Sequence, residues 1–127
     1  MVSTKNGGIN MRNIKFRAWN MQENRMMEWQ ELRNEIEILT DVLENFYPYC
    51  KPVMQYTGIK DNNKKEIYEG DLVQIVGNEE DGLFKVVWSN KDSMYMLKDA
   101  NKSFEKLCEY EYIVKGNIYE NSYLLEC

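Results

Sequence analysis

The 127-residue chain contains no histidine, only two prolines, and three cysteines at Cys50, Cys108 and Cys127. The missing histidine removes the commonest general base near neutral pH and every Ser-His or Cys-His nucleophile pair. The cysteines are odd in number, widely spaced and form no C-x-x-C pair, so they supply no zinc set. They read as reduced thiols of a cytoplasmic protein, and neither a metal nor a cofactor is expected. No apolar run approaches the ~20 residues that span a bilayer, and no signal-peptide core precedes a small-residue cleavage site. A soluble protein that stays off the membrane is the expectation. Carboxylate and lysine chemistry remain, so these absences disfavour an enzyme without excluding one.

Positive charge is also in short supply: 16 Lys and Arg stand against 21 Asp and Glu, a net charge of −5. The balance is uneven. Residues 1–30 hold Lys5, Arg12, Lys15, Arg17 and Arg25 against Glu23 and Glu28, a net +3, and the remainder carries −8. Such a chain is not an electrostatic sleeve for duplex nucleic acid, whose affinity rests on phosphate neutralisation. The length fits one compact domain, which at this size buries roughly two-thirds of the surface its unfolded chain exposes.

What is present falls into segments. Residues 1–10, "MVSTKNGGIN", are polar and aperiodic, and patterned sequence begins at Met11. Gly7-Gly8 can be encoded by a strong bacterial ribosome-binding sequence, with two codons before Met11. A tail or an upstream over-extension of the reading frame is expected there. "NIKFRAW" alternates Ile14, Phe16 and Ala18 with Lys15, Arg17 and Trp19, the period-2 pattern of a half-buried strand. "MMEW" resumes an extended pattern after a polar turn, giving a hairpin.

"WQELRNEIEILTDVLENF" changes period: Leu32, Ile36, Leu39, Leu43 and Phe46 share one helical face, and Pro48 ends the run. The alternation in "EIEIL" leaves a strand open for the same residues. Beyond the prolines the chain reads as β, with a strand ending at Gly58, the strand "LVQIV", and "GLFKVVW" joined to "SMYML" through "SNKD". Phe104, Leu107 and Cys108 suggest a short helical segment before "YIVKGNIY". Short strands with Gly-rich turns indicate a mainly β (α+β) chain built on a small barrel or strongly curved sheet, with one or two short helices.

Three blocks, "IKFRAWN", "QYTGIKDNNKKEIYEGDLV" and "GNIYEN", occur in this order between Met11 and Asn121. Together they resemble the YopX family of phage and prophage proteins. The resemblance implies an SH3-like β-barrel with added N-terminal elements, a phage or prophage source, and a tendency to self-associate. It implies no activity, because the family is one of unknown function. On this reading residues 11–127 are a single domain, with a hairpin and helix over 11–53 and the barrel over 54–121.

The residues of these blocks have structural uses. Gly58 and Gly70 suit positive-φ turn positions. Asp61 and Asn62 suit bonds to their own loop. Asp71 is placed to accept amides at the start of a strand whose Leu72, Ile75 and Val76 face the barrel interior. Gly116 and Asn117 allow a bulge after which Ile118 and Tyr119 rejoin the sheet. Tyr56, Thr57, Glu69 and Asn121 complete the motif. A sharper reading makes Tyr56, Thr57, Asp61, Glu69 and Asp71 a ligand or acid-base site, but their spacing matches no metal loop and no helix-borne carboxylate pair.

Arg12, Lys15, Arg17, Trp19 and Arg25, with Trp29, offer cations between aromatics, as single-strand nucleic-acid binders do. Core placement of both tryptophans is the plainer alternative. Nine Tyr and eight Met suit contact surfaces. The favoured expectation is a non-catalytic, self-associating interaction protein with a host or phage protein as a further possible partner. Single-strand binding through the basic hairpin is the alternative.

Overall fold

The computed structural model describes residues 13–44, 50–99, 104–107 and 110–125. The tail at 1–10, Arg12, Phe46, Cys108 and Cys127 lie outside them. The described chain is mainly β, with two antiparallel sheets and a few short helices. One sheet has the order β2-β1-β3-β4 and is formed by β1 (Phe16–Asn20), β2 (Arg25–Met27), β3 (Met54–Lys60) and β4 (Glu66–Tyr68). The other has the order β8-β7-β6-β5-β9 and curls into a half-barrel. Its strands are β5 (Asp71–Ile75), β6 (Leu83–Ser89), β7 (Met94–Lys98), β8 (Phe104–Lys106) and β9 (Tyr112–Asn117). The predicted N-terminal hairpin pairs Ala18 with Met27 and Asn20 with Arg25. The "SNKD" turn joins β6 to β7, with Ser89 opposite Met94.

Two apolar clusters hold the sheets. Val73, Ile75, Phe84, Val86, Leu97 and Tyr112 fill the half-barrel, and Ile67 of β4 and Leu107 complete that cluster. Ile67 belongs to the first sheet, so this core ties the two sheets together. The second cluster is smaller: Ala18, Met27 and Leu32, with Trp29, Leu39, Cys50 and Val53 against it. Cys50 is a free, half-buried thiol whose pKa burial raises.

Several expectations need correction. The helical run divides into α1 (Trp29–Asn34) and α2 (Ile36–Leu43), broken at Glu35, where φ is −120° and ψ 79°. Asn34 is a weak helix former, and the β-branched Ile36 follows the break. The Glu35 carbonyl then accepts from the Leu39 amide at 2.9 Å and starts the second helix. Leu43, placed on the buried face by periodicity, is exposed. β3 does not end at Gly58 but runs through it to Lys60, with a register shift between Tyr56 and Lys60.

Residues Phe104–Lys106 form a strand paired with β7 rather than a helical turn. Backbone pairing beside an open sheet edge overrides weak local preference. Val76 is exposed, because strand alternation turns it away from Val73 and Ile75. Ile118 and Tyr119 form a turn instead of rejoining the sheet. Finally, β1 is covered on both faces. Arg17, Ala18, Trp19 and Asn20 are all buried, whereas Ile14 precedes the strand and is exposed.

The outer edge of β9 is capped by the chain itself. The Asn62 amide donates to the Tyr112 carbonyl at 2.8 Å, and the Val114 amide to Asp61 Oδ2 at 2.9 Å. The Asn117 amide donates to Asn121 Oδ1 at 3.1 Å.

Candidate functional site

The turn between β4 and β5 sets the geometry. Gly70 sits at φ +84° with its amide on the Val86 carbonyl at 2.8 Å and its own carbonyl accepting from the Ile118 amide at 2.9 Å. A Cβ here would stand 3.0 Å from Met54 Sδ in a conformation that strains L residues. The turn delivers Asp71 to the space between the sheets, where β1 brings Arg17. Arg17 Nη2 donates to Asp71 Oδ1 at 2.7 Å and to the Glu69 carbonyl at 3.2 Å. The Tyr68 amide donates to Asp71 Oδ2 at 2.8 Å, and the guanidinium lies 4.7 Å from the Tyr68 ring centre. Burying two charges costs several kcal/mol per ion, so a pair of this kind requires good geometry and further hydrogen bonds.

Above this pair opens a polar cleft of about 390 Å³, lined by Lys65, Glu66 and Tyr68 from the β4 side and by Lys115, Asn117 and Asn121 from the β9 side. Glu28, Val114, Gly116 and Glu120 complete the wall, with Arg17 and Asp71 also reaching it. All three sequence blocks therefore meet at one place. Gly116 makes the approach of Asn121 possible, since a Cβ there would stand 2.6 Å from Asn121 Cγ. Leu72 pairs with Gly116 and Val73 with Val114, so Lys115 is the extra residue of a bulge.

The motif's carboxylates are committed to building bonds. Asp61 Oδ1 accepts the Asn63 and Lys65 amides at 2.8 and 2.9 Å, and its Oδ2 accepts Val114. Glu69 Oε1 accepts the Gln55 amide at 2.7 Å, and burial raises the Glu69 pKa. Asn117 Oδ1 accepts the Tyr119 and Glu120 amides, both at 2.9 Å. Thr57 Oγ1 donates to the Ile67 carbonyl at 2.8 Å, and Gly58 at φ +91° faces open space. Tyr56 is buried against Tyr68, and burial raises the pKa of both phenols. Tyr56, Thr57, Gly58, Asp61, Glu69 and Tyr119 are not brought into the cleft; Asp71, Gly116, Asn117 and Asn121 are. Among the described residues no group of three or more Cys, His, Asp or Glu is arranged to hold a metal ion.

The hairpin's cations and aromatics are likewise engaged. Lys15 pairs with Glu66 at 2.5 Å, and Arg25 makes a two-pronged contact with Glu31 at 2.8 and 2.5 Å plus one with Glu23 at 2.6 Å. Trp19 is buried and stacks on Tyr119 with ring centres 5.7 Å apart, and Trp29 packs edge-on to Phe16. Of this set, Arg17 reaches the cleft. Sequence reasoning misses Glu28, Lys65, Glu66, Tyr68, Val114, Lys115 and Glu120 as wall residues. The available signal was Arg17 itself, a cation among Phe16, Ala18 and Trp19 that demands a buried counter-charge, and Asp71 at the head of an apolar strand.

A profile of the YopX protein family matches residues 15–126. The chain belongs to the YopX family. The match spans both sheets and every wall of the cleft, and the family has no known function. The crystal structure of protein EF1440 from Enterococcus faecalis resembles this YopX chain with a TM-score of 0.61 at 21% identity, covering 91% of this chain and 99% of that one. At that identity the likeness concerns the fold. No curated protein matches the chain. Among the described residues no helix is long and apolar enough to cross a membrane.

Proposed function

We propose that this YopX protein is a non-catalytic, self-associating interaction protein of phage or prophage origin. It works in the bacterial cytoplasm, with the half-barrel as an SH3-like unit. The observation that carries the reading is the state of the motif's aspartates. Asp61 and Asp71 each have both oxygens engaged, by backbone amides or Arg17, so these carboxylates hold the loop and the strand in place. The motif's acids are thus spent on architecture, and the surface left for function is one of contact. Trp88 is 44% exposed beside a shallow groove of about 230 Å³ that Pro52, Val53 and Ile118 also line. Exposed tryptophan next to apolar side chains is characteristic of protein contacts. Single-strand binding has no such support, since Lys15, Arg17 and Arg25 each face a carboxylate.

Size-exclusion chromatography with light scattering tests the reading. A defined oligomer is expected, and Trp88→Lys should shift it toward monomer without lowering the melting temperature. A wild-type monomer at every concentration, combined with salt-sensitive binding to single-stranded DNA, would overturn it.

A further inference from the structure

We infer that the cleft over the Arg17–Asp71 pair is a binding site for a small monoanionic carboxylate, independent of the surface used for self-association. Its volume of about 390 Å³ lies within the range of small-molecule sites, roughly 300–1,000 Å³. The decisive feature is an imbalance of satisfied charge. Three of the four carboxylates on its wall are satisfied: Asp71 is bonded through both oxygens, Glu66 is paired with Lys15, and Glu120 accepts from Asn117 Nδ2 at 3.0 Å. The cations are different. Neither Lys65 nor Lys115 makes an ion pair among the described residues, although both line the cleft.

Arg17, which also lines the cleft, is 6% exposed in its side chain, and among the described residues its Nε–H has no hydrogen-bond partner. A buried donor left unmatched is uncommon and calls for an acceptor at the site. Two lysines without an ion pair among the described residues and a buried guanidinium share the lining of one cleft, a set of donors suited to anionic oxygen.

The other wall residues select the kind of anion. Among the described residues Glu28 makes no ion pair and keeps its negative field at the cleft, which disfavours a dianionic phosphate more than a single carboxylate. The carboxamides of Asn117 and Asn121 beside Gly116 suit the polar atoms next to that carboxylate. A free organic acid and the C-terminal carboxylate of a peptide share this chemistry.

Nuclear magnetic resonance titration of the full chain tests the site with acetate, inorganic phosphate, a dipeptide with a free C-terminus, and the same dipeptide amidated. Saturable shifts at Lys65–Tyr68 and Lys115–Asn121 are expected with acetate and the free dipeptide, and none with the amide. Lys65→Gln and Lys115→Gln, both away from the apolar cores, should each weaken binding roughly tenfold at unchanged melting temperature. A free dipeptide that binds tighter than acetate assigns a chain terminus as the ligand, and equal binding assigns a free acid. Phosphate binding tighter than either carboxylate, shifts unaffected by both lysine substitutions, or no saturable shift with any carboxylate would each overturn the proposal.

Discussion

Asp61 closes the loop between β3 and β4, and Asp71 opens β5; both are buried, at 7% and 1% exposure. Their surroundings differ in kind. Burial pushes both carboxyls up, but for Asp61 the amides of Val114, Lys65 and Asn63 outweigh it and hold the pKa below the ordinary value. For Asp71 burial prevails over Arg17 and the Tyr68 amide, and the pKa is raised. Backbone amides fixed by loop and sheet give up no side-chain freedom when they bind a carboxylate. An arginine has to lose its own hydration and rotamers before it helps. The loop is therefore held by an inexpensive anchor, whereas the junction between the sheets depends on a costly one that must remain whole.

Arg17→Ala is the severest test of that contrast. It leaves Asp71 buried without its counter-charge and should cost about 3–5 kcal/mol in chemical denaturation. The double variant Arg17→Met with Asp71→Leu should recover most of the loss, because an apolar pair replaces an ionic one at little net cost. A single-variant loss below about 1 kcal/mol would show that the pair is dispensable. Asp61→Asn should cost less, about 1–3 kcal/mol, because an amide group turned toward Val114 or Lys65 can no longer accept from both sides.

The pH dependence sharpens the comparison, because the two aspartates act with opposite sign. A lowered folded pKa means that Asp61 contributes stability above its unfolded pKa, lost as pH falls through the folded value. A raised folded pKa means that Asp71 contributes below its unfolded pKa and loses that contribution as pH rises through its higher folded value. Melting temperatures across the acid range should therefore show a steeper rise with pH in Asp71→Asn than in wild type, and a shallower rise or a fall in Asp61→Asn. Identical slopes in the two variants would remove the distinction. The smallest effect belongs to the exposed trio of Arg25, Glu23 and Glu31. Arg25→Ala should leave the melting temperature unchanged in physiological salt, because solvent screens such contacts.

Much of the architecture was legible from local pattern. The alternation of Phe84, Val86 and Trp88 located β6, the polar "SNKD" located its turn into β7, and the glycines at 58 and 70 marked positive-φ positions that the structure contains. The Asp61 loop was also readable, since its bonds to Asn63 and Lys65 are local. What could not be read depends on distance along the chain. Arg17 and Asp71 are 54 positions apart, and no spacing rule joins them. The polar face assigned to β1 proved buried because a second sheet covers it, which alternation within one strand cannot report. Phe104–Lys106 was misjudged for a related reason: its conformation is set by β7, not by its own residues. The cleft was invisible in the same way, since its walls come from three separated blocks.

The capped edge of β9 has a consequence for how such chains can accumulate. An edge strand with free amides and carbonyls is a template for runaway polymerisation, in which each added molecule exposes the same template again. Here the Tyr112 carbonyl and the Val114 and Asn117 amides are already taken by Asn62, Asp61 and Asn121. The Asp61 carboxylate stands where a neighbouring strand would place its carbonyl, so a second chain approaching that edge meets negative charge in place of a partner. Fibre growth along β9 is thereby blocked by a loop side chain.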